Sequence, residues 1–452
     1  MKRAMKQEWR NKKVAVIGLG RTGLALVRFL KDQGALLSGR DQKTAAQFGQ
    51  HWAEIQSLGI ELVLGPGYLE RLGEYEAVFL SPGVPKDLPE LRGLDLESEI
   101  GLVFRYSQAP LYGITGSSGK TTTTTLVGEM LKESGIPAYL GGNIGLPLID
   151  EIEKIGPEQN LILELSSFQL DNLGQSPAGA VITNISENHL DVHGTMDNYI
   201  RAKKNIYRRQ TGNDFIILNY DDPYGREMSG ESTAKVFFFS LKSKVERGAY
   251  LRRGDFIYRD GSEEIKFGRR SELALRGDHN AANFLAAALM SRLIGARWEA
   301  IRRVGRSFSG VPHRLELVQT VEGIRYYNDS IATTPERTLA ALNSFQEPLL
   351  LLAGGSDKKL DYAKFGQAVH EHVKRLILFG QMAPQIKAAV LSFGEFPLDV
   401  VETLDQAVTA AAGWAEKGDV VLLSPACASY DQYPNFEVRG AHFRDLVEKL
   451  NK

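Results

Sequence analysis

Short apolar runs, each followed by a glycine or a polar residue, recur along the whole chain. Residues 14–17 form a β-branched run before a glycine-rich turn, and residues 24–31 then follow a helical pattern. This alternation predicts an α/β protein with mainly parallel sheets, in which polar residues at the strand ends face a ligand crevice. The predicted strands are residues 14–17, 77–80, 111–113, 161–163, 180–182, 215–218, 349–352, 376–379 and 420–423.

The runs group into three segments, for which we predict three domains: residues 1–109, 110–310 and 311–452. The first and third are expected to be Rossmann-like, and the central one to resemble a phosphate-loop ATPase. Within the central segment, residues 234–267 contain two aromatic-rich runs, which indicate an additional group of strands.

A glycine-rich turn in the central segment has the composition of a phosphate cradle. It lies between a predicted strand and a predicted helix, so its backbone N–H groups would converge at a helix N-terminus. Lys120 adds a positive charge there, and Thr121 adds a hydroxyl suited to Mg²⁺. The strict phosphate-loop pattern requires glycine where Ile114 stands, so the match is to a shorter form. The predicted phosphate-binding residues are Gly116, Ser117, Ser118, Gly119, Lys120, Thr121 and Thr122.

Composition narrows the class of protein. A hydrophobic content of 43% is sufficient for buried cores, and a formal net charge of −1 provides no bulk basic field for nucleic acid. A single cysteine, Cys427, excludes an internal disulfide. The polar, basic residues 1–13 do not resemble a signal peptide, and no apolar run reaches the length of a membrane span. We therefore expect a soluble cytoplasmic protein without membrane insertion.

Several other polar positions are candidates for a site. The turn that begins at Gly18, together with Asp41, suits either a nucleotide, with a phosphate at the helix N-terminus and a ribose at the acid, or a tight turn without ligand. Glu164 follows a strand, where a carboxylate can hold Mg²⁺ or simply face solvent. His189 lies in a block with a second histidine and two acids, for which a substrate or Mg²⁺ role is favoured over zinc.

Three further groups of polar residues have a structural interpretation, and for two of them a functional interpretation is also open. Residues 199–207 have the composition of an ordinary solvated basic helix. Asn280 and Asn283 lie on one helix face, where they could contact a base or cap the helix. Cys427 could be a nucleophile, although a small buried thiol suits its surroundings better.

Taken together, these motifs resemble the Mur ligase family of ATP-dependent amino-acid ligases in peptidoglycan synthesis. The resemblance extends over nearly the whole chain, and the block 424–440 is most similar to the D-glutamate-adding branch. The matching motifs include residues 18–20, 81–83, 116–122, 141–145, 164–169, 188–191, 312–314, 328–330 and 424–440.

The resemblance implies a two-step ligation. A carboxylate of UDP-N-acetylmuramoyl-L-alanine attacks ATP to give an acyl phosphate, and the amine of glutamate then displaces phosphate. The implied ATP and Mg²⁺ residues are Lys120, Thr121, Glu164, His189, Lys203 as a carbamate, Asn283, Arg314 and Asp329. The implied substrate residues are Arg21, Thr22, Asp41, Gly83, Asn143, Ser167, Gln169 and His189 for the nucleotide sugar, and Thr333, Lys358, Ser429 and Phe436 for glutamate. We expect a monomer.

Two departures from the family pattern affect this interpretation. Ser117 and Ser118 replace the usual Thr-Asn pair, which should preserve the backbone cradle. Ile331 stands where a lysine is usual, so L-glutamate remains an alternative to D-glutamate. A folylpolyglutamate synthase-like ligase is a second alternative, and a phosphate-loop switch or motor that hydrolyses ATP is a third.

Overall fold

A computed structural model describes residues 7–86, 88–144, 147–171, 173–275, 277–357 and 360–450. The chain divides into two compact units, Met1–Phe308 and Ser309–Lys452. Three sheets of mainly parallel strands form their cores, which confirms the predicted α/β fold class. No helix in the described ranges is long and apolar enough to cross a membrane.

The first sheet has five parallel strands in the order β3-β2-β1-β4-β5. Its central strand matches the predicted β-branched run, and Val14 to Ile17 are fully buried because helices cover parallel sheets on both faces. The loops after β1 and β4 flank the point where strand order reverses, which is where open α/β sheets bind ligands. The elements are β1 (Lys13–Ile17), α1 (Arg21–Asp32), β2 (Leu36–Asp41), α2 (Trp52–Ser57), β3 (Glu61–Leu64), β4 (Ala77–Leu80), β5 (Leu96–Glu97) and α3 (Glu99–Tyr106).

The second sheet has nine strands in the order β14-β13-β12-β11-β10-β9-β6-β8-β7. The predicted additional strands of residues 234–267 are present as β11 to β14, of which the last three pair antiparallel. The elements are β6 (Leu111–Thr115), α4 (Lys120–Glu133), β7 (Ala138–Gly142), β8 (Asn160–Glu164), α5 (Ser167–Asp171), β9 (Gly179–Ile182), α6 (Leu190–His193), α7 (Met196–Lys204), β10 (Phe215–Asn219), α8 (Pro223–Glu231), β11 (Lys235–Ser240), β12 (Arg247–Arg252), β13 (Asp255–Asp260), β14 (Glu263–Arg269), α9 (Asp278–Ile294) and α10 (Trp298–Ser307).

The second unit contains a six-stranded sheet in the order β15-β16-β20-β17-β18-β19. An antiparallel hairpin of β15 and β16 forms one edge, and the remaining strands are parallel. The elements are β15 (Glu316–Val321), β16 (Ile324–Asn328), α11 (Pro335–Leu342), β17 (Leu349–Gly354), α12 (Ala363–His372), β18 (Arg375–Phe379), α13 (Ala383–Leu391), β19 (Leu398–Val400), α14 (Leu404–Trp414), β20 (Val420–Leu423) and α15 (Phe436–Lys449).

A buried carboxyl group joins the first sheet's helices to the segment that follows β7. Glu99, the first residue of α3, is buried, and its Oε1 accepts a hydrogen bond of 3.1 Å from the backbone nitrogen of Ile149. Burial raises the pKa of Glu99 to about 7. The group is therefore largely protonated in the folded chain under conditions where it is ionised in the unfolded chain.

This difference predicts a pH-dependent stability. A raised pKa in the folded state contributes stability below the ordinary carboxyl pKa, and that contribution disappears as the pH rises through about 7. The free energy of unfolding of Glu99→Gln minus that of wild type should therefore increase by up to about 3 kcal/mol from about pH 4.5 to about pH 8. Denaturant titrations of both proteins at the two pH values measure this difference. The exposed Glu90→Gln is the control, and a pH-independent difference for Glu99→Gln would contradict the assignment.

Candidate functional site

The glycine-rich turn between β6 and α4 has the geometry of a phosphate loop. Gly116 and Gly119 have φ values of +147° and +81°, which side chains other than glycine rarely adopt. A Cβ atom at Gly119 would collide with the side-chain oxygen of Asn283. The turn therefore requires glycine, and it leads directly into the N-terminus of α4, where backbone N–H groups favour an anion.

Thr183 and Asn184, which directly follow β9, form hydrogen bonds that hold this loop in its conformation. Thr183 Oγ1 donates a 2.6 Å hydrogen bond to the carbonyl oxygen of Ser118. Asn184 Nδ2 donates to the same carbonyl at 3.0 Å, while Asn184 Oδ1 accepts from the Ser118 nitrogen at 3.1 Å. Lys120 Nζ lies over the loop and donates to the Gly116 carbonyl at 3.0 Å. The cradle is thus pre-organised by neighbouring side chains, a role that sequence reasoning did not assign to residues 183 and 184.

Lys203 is buried beneath the same loop, which corrects the prediction that its helix simply presents a solvated face. Its side chain is among the largest fully buried ones, and Nζ donates to the Gly116 carbonyl at 2.9 Å and to Thr115 Oγ1 at 3.2 Å. Lys203 forms no ion pair with any carboxylate in the described part of the chain. Burial, and next the positive charge of Lys120, lower the pKa of Lys203 well below its usual value. Burial therefore disfavours the charged form of this amine.

A second residue of this helix also reaches the loop. Tyr199 lies one turn before Lys203, and its hydroxyl is 2.9 Å from Ser117 Oγ in a hydrogen bond. Ser117 Oγ also donates to the Ser186 carbonyl at 2.9 Å. The i, i+4 spacing of Tyr199 and Lys203 was the signal in the sequence that could have identified a buried face of α7.

Glu164 ends β8 with one carboxylate oxygen engaged and one without a partner. Asn143 Nδ2 donates to Oε1 at 3.0 Å. Oε2 is buried and has no hydrogen-bond partner among the residues that the structure describes. Since a buried carboxylate oxygen is rarely left unsatisfied, this atom is a natural ligand for a cation. The searched residues contain no cluster of three or more His, Cys, Asp or Glu side chains suited to a metal.

An aromatic and imidazole cluster lies near the N-terminus of α5. The His193 ring stacks on Phe168 with centroids 5.2 Å apart, and His189 meets the same ring at 5.1 Å in an edge contact. His193 Nε2 and Ser167 Oγ share a hydrogen bond of 2.9 Å. Burial lowers the pKa of His193, so its ring favours the neutral form. The structure thus brings the predicted residues His189 and Ser167 together and adds His193 to them.

A cavity of about 420 Å³ lies at the carboxyl ends of the first sheet. Asp41 Oδ2 accepts from the Leu19 nitrogen at 2.7 Å and Oδ1 from the Lys43 nitrogen at 2.9 Å, so this carboxylate holds the glycine turn after β1. The predicted residues that line this cavity are Arg21, Thr22, Asp41, Gly83, Asn143 and Gln169.

A second cavity, of about 680 Å³, shares the segment 82–85 with the first. Its lining includes Lys86, Phe168, His193 and Arg201. Lys86 Nζ donates to the Phe168 carbonyl at 2.8 Å. The two adjoining cavities extend from Asp41 to the imidazole cluster, and Asn143 connects the first of them to Glu164.

The polar loops of the second unit gather at the carboxyl ends of its strands. Asp329 is buried, Ser424 Oγ donates to its Oδ2 at 2.8 Å, and burial raises its pKa to about 7. Ser330 Oγ donates to the Phe436 carbonyl at 2.8 Å. Arg314 and Thr333 lie in the adjoining loops and Ser429 is buried in the loop after β20, whereas Lys358 lies outside the described residues.

The surroundings of Cys427 decide between the two interpretations of this thiol. Cys427 is fully buried, its sulfur is 3.0 Å from the Tyr362 hydroxyl, and burial raises the pKa of the thiol to about 11. This is a structural thiol and not an activated nucleophile. Helix α9 begins after Gly277, which has no side chain to cap it, and Asn283 Nδ2 donates to Asn280 Oδ1 at 3.4 Å on one helix face.

Comparison with known proteins identifies related sequences over the whole chain. A family profile for the Mur ligase MurD-like N-terminal domain matches residues 12–98. The profile for the Mur ligase middle domain matches residues 114–291, and that for the Mur ligase glutamate ligase domain matches residues 313–427.

Individual relatives agree with these profiles. A protein of Symbiobacterium thermophilum named UDP-N-acetylmuramoylalanine–D-glutamate ligase is 45% identical, over 97% of this chain and 98% of its own length. A protein of the same name from Acetivibrio thermocellus is 41% identical over 98% of both chains. Among solved structures, UDP-N-acetylmuramate-alanine ligase of Thermotoga maritima shares the fold with a TM-score of 0.57 at 18% identity, covering 97% of this chain and 100% of that one.

The geometry of the phosphate loop predicts the effect of Lys120→Ala. Loss of this cation should weaken ATP binding by about tenfold to a hundredfold, the range expected for a charge-assisted hydrogen bond. Because Lys120 contacts carbonyl groups and not an apolar core, the melting temperature should stay unchanged. Titration calorimetry and thermal unfolding measure the two quantities. Lys132→Ala, at the exposed far end of the same helix, is the control, and a melting temperature that falls together with affinity would indicate a structural role.

Proposed function

This chain belongs to the Mur ligase family, and we propose that it is an ATP-dependent ligase that adds D-glutamate to UDP-N-acetylmuramoyl-L-alanine. The observation that carries the proposal is a phosphate loop with a buried lysine, Lys203, directly beneath it, in a chain 41–45% identical to relatives named for this reaction. The products are ADP, phosphate and the extended UDP-sugar peptide.

The reaction needs positioned charge and no side-chain nucleophile. The substrate carboxylate attacks the γ-phosphorus of ATP, an O–P bond forms, and the bond to ADP breaks to leave an acyl phosphate. The deprotonated amine of glutamate then attacks the acyl carbon, and the tetrahedral intermediate expels phosphate. We assign to Lys120 and the N-terminus of α4 the stabilisation of charge on the transferred phosphoryl group. The inert environment of Cys427 agrees with a mechanism that forms no covalent enzyme intermediate.

Mg²⁺ fits the residues present. The unpartnered buried Oε2 of Glu164 and the hydroxyl of Thr121, in the first turn of α4, are oxygen ligands of the kind that this ion prefers. When bound, Mg²⁺ neutralises the charge of the nucleotide phosphates. Asn143 would keep the Glu164 carboxylate oriented through its 3.0 Å hydrogen bond. We assign His189 to a second Mg²⁺.

We propose that Lys203 is carbamylated. The unprotonated form of its amine attacks CO₂, an N–C bond forms, and the proton released from the nitrogen passes to solvent. The modification would convert a buried amine without a carboxylate partner into an anion, and an anion of this kind would supply oxygen ligands to a second Mg²⁺. The burial of Nζ and its hydrogen bonds to Thr115 and Gly116 support this proposal, because they place the amine directly beneath the phosphate loop.

The carbamate proposal predicts a chemical rescue. Lys203→Ala should lower ligation by about tenfold to a hundredfold, the scale seen when groups supporting a metal site are lost. Acetate should restore part of the activity, because a small carboxylate can occupy the volume that the side chain leaves. Initial rates with and without acetate measure the effect.

Lys204→Ala is the matched control, since the neighbouring lysine pairs with Glu227 and Glu231 on the surface of the same region. It should stay active and insensitive to acetate. A fully active Lys203→Ala variant would refute the carbamate.

The two cavities of the first unit provide the binding surface for the nucleotide sugar. We assign Arg21, Thr22, Asp41 and Asn143 to its UDP-sugar end, and Gly83, Ser167, Gln169 and His189 to further substrate contacts. Thr333, Lys358, Ser429 and Phe436 would bind glutamate, and Asn283, Arg314 and Asp329 would contact ATP. We propose the domain division 1–109, 110–310 and 311–452 for these three roles. We further propose a cytoplasmic monomer, because ATP and nucleotide sugars are cytoplasmic substrates.

The stereochemistry of the amino acid is tested directly by ligation. With ATP, Mg²⁺ and UDP-N-acetylmuramoyl-L-alanine, phosphate release and product mass should depend on D-glutamate. The L-isomer should react at least about a hundredfold more slowly, because two anchored carboxylates and one reacting amine fix handedness. Faster turnover with L-glutamate would favour the alternative suggested by Ile331. No ligation with either isomer would refute the proposed function.

A further inference from the structure

A fully buried cation lies at the centre of the second unit's polar loops. Arg439, in the first half of α15, has an exposed fraction of 0%. Its Nε donates to Ser330 Oγ at 3.0 Å and its Nη2 to the Ser330 carbonyl at 3.0 Å. Nη2 also donates to the Cys427 carbonyl, and Nη1 to the Ala428 carbonyl, both at 3.2 Å. The guanidinium is thus held by neutral oxygen atoms.

This positive charge has no carboxylate partner among the described residues. Burial lowers the pKa of Arg439 to about 10, which still leaves it protonated at neutral pH. The carboxylate of Asp431 acts on Arg439 electrostatically without forming an ion pair with it, and it accepts a 3.0 Å hydrogen bond from the backbone nitrogen of Gln381. An unpaired charge in the interior is costly to maintain, so its presence in a loop cluster is a functional signal.

The contacts of Arg439 bring together the loops that follow three neighbouring strands. Ser330 follows β16, Ala428 follows β20, and Gly355 follows β17. A Cβ atom at Gly355 would lie 3.1 Å from Nη1, so the guanidinium also borders this third loop. The loops after β16 and β20 lead to Thr333 and Ser429. Ser330 Oγ further connects Arg439 to the Phe436 carbonyl.

We propose that Arg439 is a positioning residue that selects a dicarboxylic amino acid through its buried, uncompensated positive charge. It holds the three loops, and its positive charge favours an anion bound to their polar groups. Ile331, which replaces the lysine usual in the family, directly follows Ser330, whose carbonyl Arg439 holds. This inference rests on the proposed function, because it concerns the amino-acid substrate of that reaction.

Charge selection and loop support can be separated by two variants. Arg439→Gln removes the charge, and Arg439→Lys keeps the charge but loses the planar fork that reaches several carbonyls. Arg444→Gln is the matched control, because Arg444 lies in the same helix and its charge is paired with Glu316 at 2.7 Å. All three are compared with wild type for folding by circular dichroism before kinetics are measured.

The readouts are the KM values of D-glutamate and ATP, and the competitive inhibition constants of glutarate and its monoamide. In Arg439→Gln, the KM of D-glutamate should rise by about tenfold or more while that of ATP changes less than about twofold. The preference for glutarate over its monoamide should fall by a similar factor. Arg439→Lys should keep that preference, even with a lower kcat, and Arg444→Gln should match wild type.

Equal weakening of glutarate and monoamide in Arg439→Gln would overturn the proposal in favour of purely structural support. If that variant does not fold, a lost preference in a folded Arg439→Lys variant would overturn it too, since the charge is still present. Failure of the proposed function is distinguishable, because wild type would then not ligate D-glutamate at all.

Discussion

The hydrogen bond between the buried amine of Lys203 and the carbonyl of Gly116 is the contact on which the central site depends. It joins α7 to the phosphate loop, and the bond from Tyr199 to Ser117 adds a second attachment one helical turn away. The loop is held on its other side by residues 183 and 184. A loop fixed from two directions offers its N–H groups to phosphate without a cost of rearrangement.

The two units place their polar residues in the same way relative to their sheets. Polar residues stand directly after buried parallel strands, and the sheets bring these strand ends together. In the first unit, Asn143 follows β7 and Glu164 ends the neighbouring strand β8. The two side chains share a hydrogen bond, so the first cavity is connected to the candidate metal ligand. In the second unit, Arg439 organises the corresponding strand ends from the helix that follows them. Each unit thus presents a pre-formed set of polar groups.

Much of this arrangement could be predicted because apolar periodicity specifies strands and helices locally. The runs 14–17 and 349–352 are buried strands as expected, and the glycine-rich turn at 116–119 lies between a strand and a helix. Burial of long charged side chains was not predictable from composition. Lys203 and Arg439 resemble ordinary surface residues in sequence, and only tertiary packing places them under loops that approach from distant parts of the chain. The roles of residues 183 and 184 were hidden for the same reason.

The proposal to be tested is that the buried amine of Lys203 carries a carbamate. The most direct measurement is ¹³C NMR of the protein equilibrated with ¹³C-labelled bicarbonate, compared with the Lys203→Arg variant. A carbamate on Lys203 should give a protein-bound ¹³C signal in wild type. The signal should be absent from the Lys203→Arg variant, because a guanidinium does not add CO₂. Identical spectra of the two proteins, with no carbamate signal in the presence of ATP and Mg²⁺, would contradict it.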